Sequence, residues 1–242
     1  MTQLLTTIDI TFPTPHQNIA IEEALLDHAE TTNTQWLRFW ESPTYFVVLG
    51  RGNKVLENCI TKSCTQDGIP IIRRCSGGGT VLQGPGCLNY ALILSTEHHP
   101  SLAQITHTNH YILNLLKDAL STQIPNLHVR GHSDLCIDTL KISGNAQRRK
   151  RHHILFHGTF LYNFDLTKIS SYLCAPPIQP DYRNNRPHQK FVTNIPLTAQ
   201  EIKTAIITHL GATLQKTIPD LQIPLTTLVN QKYMKSEWNY DR

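Results

Sequence analysis

Three consecutive glycines, Gly77, Gly78 and Gly79, stand between two apolar runs in RRCSGGGTVLQGPGCLNYALIL, residues 73–94. Glycine loses more backbone freedom on folding than any other residue, so three together disfavour the interior of a strand or helix. The usual compensation is a loop whose bare backbone lets a ligand approach, with N–H groups free to meet an anion. Arg73 and Arg74 lead into this loop. On a strand they face opposite ways, so one would look toward the loop while the other serves structure. No Gly-Lys-Ser/Thr follows and G-x-G-x-x-G spacing is missing, which leaves kinase, GTPase and dinucleotide-binding readings without a motif. A glycine-rich bulge beside a surface arginine pair is the plainer alternative.

Two further segments carry chemistry. In GHSDLCIDTLKISGNAQ, residues 131–147, Lys141 lies in an apolar strand beside Ile142. A lysine entering a core face is unusual unless its ammonium meets an anion. As a compact charge it suits a carboxylate or phosphate oxygen, where negative charge develops during acyl transfer. The solvent side of an alternating strand is the other reading. In ILFHGTFLYNFDL, residues 154–166, His157-Gly158-Thr159 interrupts an apolar run, which suggests a cavity wall or a satisfied core histidine.

The pattern around these segments predicts strands at 4–12, 36–40 and 45–49, the last two across a turn at 41–43. Further strands are expected at 69–75, 80–82, 88–94, 127–130, 135–137, 141–147 and 154–162. Helices are expected at 18–30, 102–120, 166–173 and 197–210, with a last helical segment near 225–235. A Pro-rich loop spans 176–187. Strands in hairpin-like succession with helices inserted at intervals indicate α+β, a mixed and largely antiparallel sheet flanked by helices, in one domain over residues 1–242.

With 242 residues, 40% of them apolar, the chain has room for a real core. A net charge of +4 suits an acidic protein partner but does not indicate nucleic-acid binding. The basic run at 148–151, followed by two histidines, reads as a solvated hairpin tip; without interleaved aromatics it is no nucleic-acid module. The six cysteines form no C-x-x-C pair, as for reduced thiols in a cytoplasmic protein. A protein-held metal chelate is not expected, since adjacent residues of His98-His99 and His152-His153 point to opposite strand faces. MTQLLTTIDITF is no signal peptide, and no apolar run approaches the ~20 residues of a membrane span.

Taken in order, RRCSGGGTV, SDL, KISGNAQ and HGTFL resemble the lipoate–protein ligase A family, which shares its catalytic fold with biotin protein ligase. The likeness extends to NIAIEEALL, FVVLGRGN and SEWNY, and so covers most of the chain. It implies two-step chemistry: lipoate and ATP, with Mg²⁺, form an acyl-adenylate, and a lysine of an acceptor protein then attacks it. The implied acceptors are lipoyl domains of 2-oxoacid dehydrogenase complexes or the glycine cleavage H protein. By position, Lys141 matches the lysine that contacts the acyl carbonyl and the adenylate phosphate. Arg74, Gly79, Thr80, Val81 and Leu82 match the nucleotide-contacting loop, and Asp134 the acidic residue holding nucleotide or Mg²⁺. Ser76, Gly77 and Gly78 match the turn near the carboxylate, while His157 and Gly158 would line the acyl pocket.

Three departures stand out. Gln83-Gly84 replaces the usual His-Asp after the loop, and His132-Ser133 replaces Arg-Asn before the acidic residue. The chain also stops just after Trp238-Asn239-Tyr240, where an accessory domain would begin, so the expectation is a monomeric catalytic domain, with a separate accessory protein as a possible partner. The runner-up is a lipoyl or octanoyl transferase that skips ATP activation and takes its acyl group from a carrier or a preformed adenylate. Such a transferase would use a cysteine nucleophile. Cys136 and Cys75 are the candidates, and both read more naturally as packing residues.

Overall fold

A computed structural model describes residues 4–97, 99–176, 178–215 and 218–241. His98 and Pro177 lie outside the described residues. The strands are β1 (Leu5–Asp9), β2 (Gln35–Glu41), β3 (Phe46–Leu49), β4 (Ile71–Arg73), β5 (Val81–Gln83), β6 (Cys87–Ser95), β7 (Leu127–Arg130), β8 (Asp134–Ile137), β9 (Leu140–Arg149), β10 (His153–Leu161) and β11 (Thr213–Leu214). The α-helices are α1 (Pro15–Thr32), α2 (Val55–Asn58), α3 (Thr61–Gln66), α4 (Ile105–Leu120), α5 (Thr167–Tyr172), α6 (His188–Phe191), α7 (Ala199–Leu210), α8 (Gln222–Leu228) and α9 (Ser236–Asn239), with a π-helical turn Val229–Tyr233 between the last two.

Eight strands make one sheet in the order β11-β1-β2-β6-β10-β9-β8-β7, and three make a second in the order β4-β3-β5. Among the described strands, β1 with its two neighbours and β3 with β4 pair in parallel, and the other strand pairs are antiparallel. This is the α+β, largely antiparallel arrangement expected from the sequence. The central strands β6 and β10 pair over nine positions, from His153↔Ser95 to Leu161↔Cys87. They are apolar nearly throughout because helices cover both faces. Leu155 packs with Ile21 and Leu25 of α1, whereas Ile154 and Phe156 pack with Ile112 and Leu116 of α4 and Ile202 of α7, the alternation a strand imposes. His157 shares the face of Leu155, and so looks toward α1.

The helix α1 begins earlier than its apolar spacing indicates. Thr14 and Gln17 form a reciprocal capping box, Pro15 occupies the first turn, and Asn33 closes the helix in the left-handed region. The turn at 41–43 does not join a hairpin: β2 runs between β1 and β6, while β3 leaves for the small sheet. The expected strand at 69–75 shortens to Ile71–Arg73, because residues 74–76 depart to form the base of the glycine loop. Residues 157–159 do not interrupt β10, which stays paired with β6 throughout. The basic run lies at the β9–β10 hairpin turn, as expected, with Lys150 and Arg151 exposed, but most of its charges have partners. Arg148 and Arg149 are paired within β9, Arg149 donates to Leu102 O and Thr108 Oγ1, Lys150 pairs with Asp27, and His152 lies 2.7 Å from Glu97. Among the described residues no helix is long and apolar enough to cross a membrane.

Candidate active site

The glycine loop is held from below and open above. Arg74, buried, donates from Nε to Ser76 Oγ (2.9 Å) and from Nη2 to Gly77 O (2.5 Å) and Gly79 O (2.8 Å). Burial pushes its pKa down to about 10, still far above neutrality, so the guanidinium remains a fixed cation under the loop. Asn53 adds bonds from Nδ2 to Gly78 O (3.2 Å) and Thr80 Oγ1 (3.0 Å). Gly78 has φ +83°, and a Cβ at Gly50 would sit 2.1 Å from its carbonyl, so glycine is needed at both positions for the chain to pass. At Gly77 and Gly79 an added Cβ would meet nothing within 4 Å. Their bare backbone faces open space, as an anion-approach loop requires.

The two arginines divide their tasks. Arg73 is fully buried, and its guanidinium donates to the carbonyls of Gly50, Arg51, Asn53, Trp238 and Asn239 at 2.6–3.1 Å. It ties the loop after β3 to the C-terminal α9. Val81 and Leu82, expected to touch nucleotide, turn their side chains toward the core; only their main chain is left for a ligand.

Beneath the loop runs a chain of buried polar groups. Ser76 Oγ lies 2.6 Å from His157 Nε2, and His157 Nδ1 lies 2.5 Å from Glu22 Oε2. Trp40 Nε1 donates to Glu22 Oε1 (2.8 Å), and Arg38 Nη1 stands 3.6 Å from the same oxygen. Since Arg74 donates to Ser76, the serine proton is free to point at His157, whose other nitrogen then carries a hydrogen toward Glu22. Burial raises the Glu22 pKa, but His157, Arg38 and Trp40 outweigh it and the net shift is downward. Glu22 is therefore the anion that orients this chain.

Lys141 Nζ pairs with Asp134 Oδ1 at 2.8 Å, and Tyr182 Oη donates to Asp134 Oδ2 at 2.6 Å. Gly144 faces Asp134 across β8 and β9, and a Cβ there would lie 2.8 Å from Lys141 Nζ. The glycine of KISGNAQ thus makes room for the lysine to fold back toward Asp134. The next residue, Asn145, donates to Ser133 O (2.8 Å) and accepts from Tyr90 Oη (2.5 Å). It occupies the space that Gly158 leaves, where a Cβ would lie 1.7 Å from Asn145 Oδ1. Gly78 touches the same strand, with a Cβ there 3.3 Å from Ala146 Cβ. The three segments singled out in the sequence therefore meet in one place.

Neither cysteine weighed as a nucleophile has the surroundings for thiolate chemistry. Both are buried; burial pushes the Cys75 thiol to about 12 and raises that of Cys136. Sequence reasoning missed Glu22, Asn53, Asn145, Trp40 and Tyr182 as site residues. The first three lie inside stretches that carry the resemblance, but nothing in their spacing shows which way each points.

The fold that carries this site is the fold of lipoate–protein ligases. A lipoate–protein ligase A solved with ATP superimposes at TM-score 0.82 with 20% identity, covering 99% of this chain and 98% of that one. The bipartite lipoate protein ligase of Thermoplasma acidophilum, from a study that includes its E2 lipoyl domain, gives 0.81 with 21% identity, covering 99% and 96%. Lipoate–protein ligase 1 of Staphylococcus aureus (strain Mu50 / ATCC 700699) is 27% identical over 239 residues, 94% of this chain and 70% of that protein. The chain belongs to the family described as the lipoyl protein ligase A/B catalytic domain, whose family model matches residues 14–211.

Proposed function

We propose that the protein activates lipoate with ATP and transfers the lipoyl group to a lysine of an acceptor lipoyl domain, as a cytoplasmic enzyme. The observation that carries this reading is the approach of the open glycine loop to β9 at Ala146, on the strand that carries Lys141 and its Asp134 partner. In the first step a carboxylate oxygen of lipoate attacks the α-phosphorus of ATP, the P–O bond to the leaving pyrophosphate breaks, and lipoyl-adenylate forms. In the second the acceptor amine attacks the acyl carbon, AMP departs with the bonding electrons, and the amine gives up its proton. Lys141 serves both steps by stabilising charge on phosphorus-bound oxygen and then on the tetrahedral oxyanion. The backbone N–H groups of Gly77 to Gly79 and the Arg74 cation beneath them favour an anion at the loop. Ser76, held by Arg74 and His157, fixes the floor on which the carboxylate end rests; His157 forms the acyl side, while Gly158, on the opposite strand face, leaves the space that Asn145 fills.

Magnesium fits this site in one manner only. Among the described residues no three His, Cys, Asp or Glu side chains cluster for a metal, and both Asp134 oxygens are engaged. Asp134 would be its one protein ligand, exchanging a present partner, and the ion would neutralise phosphate charge. The acceptors are lipoyl domains of 2-oxoacid dehydrogenase complexes or the glycine cleavage H protein, and the catalytic domain acts as a monomer.

The test is mass spectrometry of an apo lipoyl domain incubated with the protein, ATP, Mg²⁺ and lipoate. Parallel reactions hold octanoate, biotin, preformed lipoyl-adenylate, or the Lys141→Ala variant. The expected result is a lipoyl mass shift that requires ATP and falls about 10²–10³-fold in rate without Lys141. A shift that appears only with preformed adenylate would replace this reading with a transferase that does not activate the free acid.

A further inference from the structure

Between α5 and α7 the chain forms a strap over β8 and β9. Its backbone is tied to the lysine strand: Thr193 N donates to Lys141 O at 2.9 Å, and Val192 bridges Lys141. Within the strap, Asn184 and Asn185 both take the left-handed conformation, with φ 55° and 56°, a geometry asparagine tolerates better than most residues. This double reversal brings two arginines into a reciprocal clamp. Arg183 Nε donates to Arg186 O (2.9 Å), and Arg186 Nε donates to Arg183 O (3.0 Å). Arg186 spends its remaining nitrogens on the carbonyls of Thr139, Tyr182 and Lys190.

Arg183 is different. It is only 4% exposed, its guanidinium stacks over the Phe191 ring at 4.7 Å, and among the described residues neither terminal nitrogen has a hydrogen-bond partner. Its neighbour Tyr182 holds Asp134, the partner of Lys141, and the same strap is bonded to the Lys141 main chain. Lys141 and Tyr182 hold the two Asp134 oxygens, and among the described residues no hydrogen bond joins Asp134 to the Arg183 fork. The fork is the part of this side chain left open, so an incoming anion meets a guanidinium whose orientation is already fixed by Arg186 O and the Phe191 ring. The planar fork matches paired phosphate oxygens better than any other common anion save a carboxylate, and the carboxylate end of the acyl substrate is placed at the glycine loop.

We infer that Arg183 is a phosphate-binding residue of the active site, its two terminal nitrogens taking oxygens of the nucleotide's phosphate chain beside Lys141. The assignment rests on the proposed ATP-dependent function for its ligand, but its test does not depend on ligation. Titration calorimetry of the full chain with ATP, and separately with inorganic pyrophosphate, would compare wild type with Arg183→Gln, Arg183→Lys and Lys190→Gln. Lys190 is exposed on the same strap, so its variant removes an equal charge without touching the fork.

The expected result is binding of both anions by wild type, about ten- to a hundredfold weaker in Arg183→Gln. Arg183→Lys should be intermediate, and Lys190→Gln unchanged. If Arg183→Gln fails to fold, the lysine variant decides, since it keeps the charge and the stem and loses only the fork. Wild-type affinities in both Arg183 variants, or no binding of either anion to wild type, would overturn the inference. Arg183-dependent pyrophosphate binding in a protein that never lipoylates would uphold it and remove the function it was built on. Full lipoylation with Arg183-independent binding would do the reverse.

Discussion

At Gly158 a single methyl group decides whether two site segments fit together. An alanine there would place its Cβ 1.7 Å from Asn145 Oδ1, and Asn145 cannot yield without releasing Ser133 O and the Tyr90 hydroxyl. Gly158→Ala should therefore cost about 1–3 kcal/mol by overpacking, measured by urea unfolding. In a double variant with Asn145→Ala the two costs should not add, because the clash and the lost bonds share one cause; strict additivity would show that the contact is not the reason. Glu22 gives a second residue-scale prediction, with its sign fixed by the downward shift of its pKa from the ordinary 4.5. A carboxyl that ionises more readily folded than unfolded leaves the unfolded chain holding more protons on acidification. Its stabilisation is present above that ordinary value and is lost as pH falls through the folded value. Glu22→Gln should be less stable than wild type near neutrality and show a flatter acid limb below about pH 4.5. Equal slopes in chemical denaturation across that range would detach Glu22 from the buried chain. Neither residue's role is legible in the sequence. α1 buries Ile19, Ala20, Ile21, Glu22, Ala24, Leu25 and Leu26 together, so its apolar spacing does not mark one glutamate as inward.

Elements were legible where one periodicity ruled and obscure where pairing was non-local. The strands β6 and β10 and the helices α4 and α7 follow from runs long enough to bury on their own terms. The turn at 41–43 was visible, yet only tertiary contacts send β3 into a different sheet from β2. Lys141, Asp134 and the glycine loop stood out through ordered segments that the fold brings together, while the strap bearing Tyr182 and Arg183 read simply as a Pro-rich connection. The C-terminal α9 shows why such connections matter. Asn239 Oδ1 accepts from the Arg73 N–H (2.8 Å), and Trp238 Nε1 donates to Arg73 O (2.8 Å), so the strand edge feeding the glycine loop is completed by residues 165 and 166 positions away. Asn239→Ala leaves a buried donor unmet and should destabilise by about 1–3 kcal/mol. Hydrogen exchange should report the loss first at residues 73–79, before any change in β6 or β10. Uniform acceleration through both sheets would mean that α9 props up the whole chain, not the loop.

The two sheets share a buried cluster, and the glycine loop reaches from the small one to the large one. Val47, Leu49, Ile71 and Leu82 of the small sheet share a buried cluster with Cys87 of β6 and Leu161 of β10, while Asn53 and the glycine loop extend from the small sheet toward Ala146 of β9. A ligand held by the loop and by Lys141 therefore spans both bodies and opposes their separation. Any ligand that binds only the folded state stabilises it by mass action, about 2.7 kcal/mol at a hundredfold excess over Kd. For a chain of this size each kcal/mol moves Tm by roughly 2–4 °C, so an acyl-sulfamoyl-adenosine that mimics the adenylate should raise Tm by roughly 5–10 °C. Scanning calorimetry should show one transition that moves as a whole, and Lys141→Ala should remove most of the shift while leaving the unliganded Tm nearly in place. That lysine sits at the rim with its side chain 26% exposed, so its loss costs little folding energy but breaks the bridge. Two transitions, of which the ligand moves only one, would instead place the nucleotide on a single sheet and leave Lys141 outside the grip that joins them.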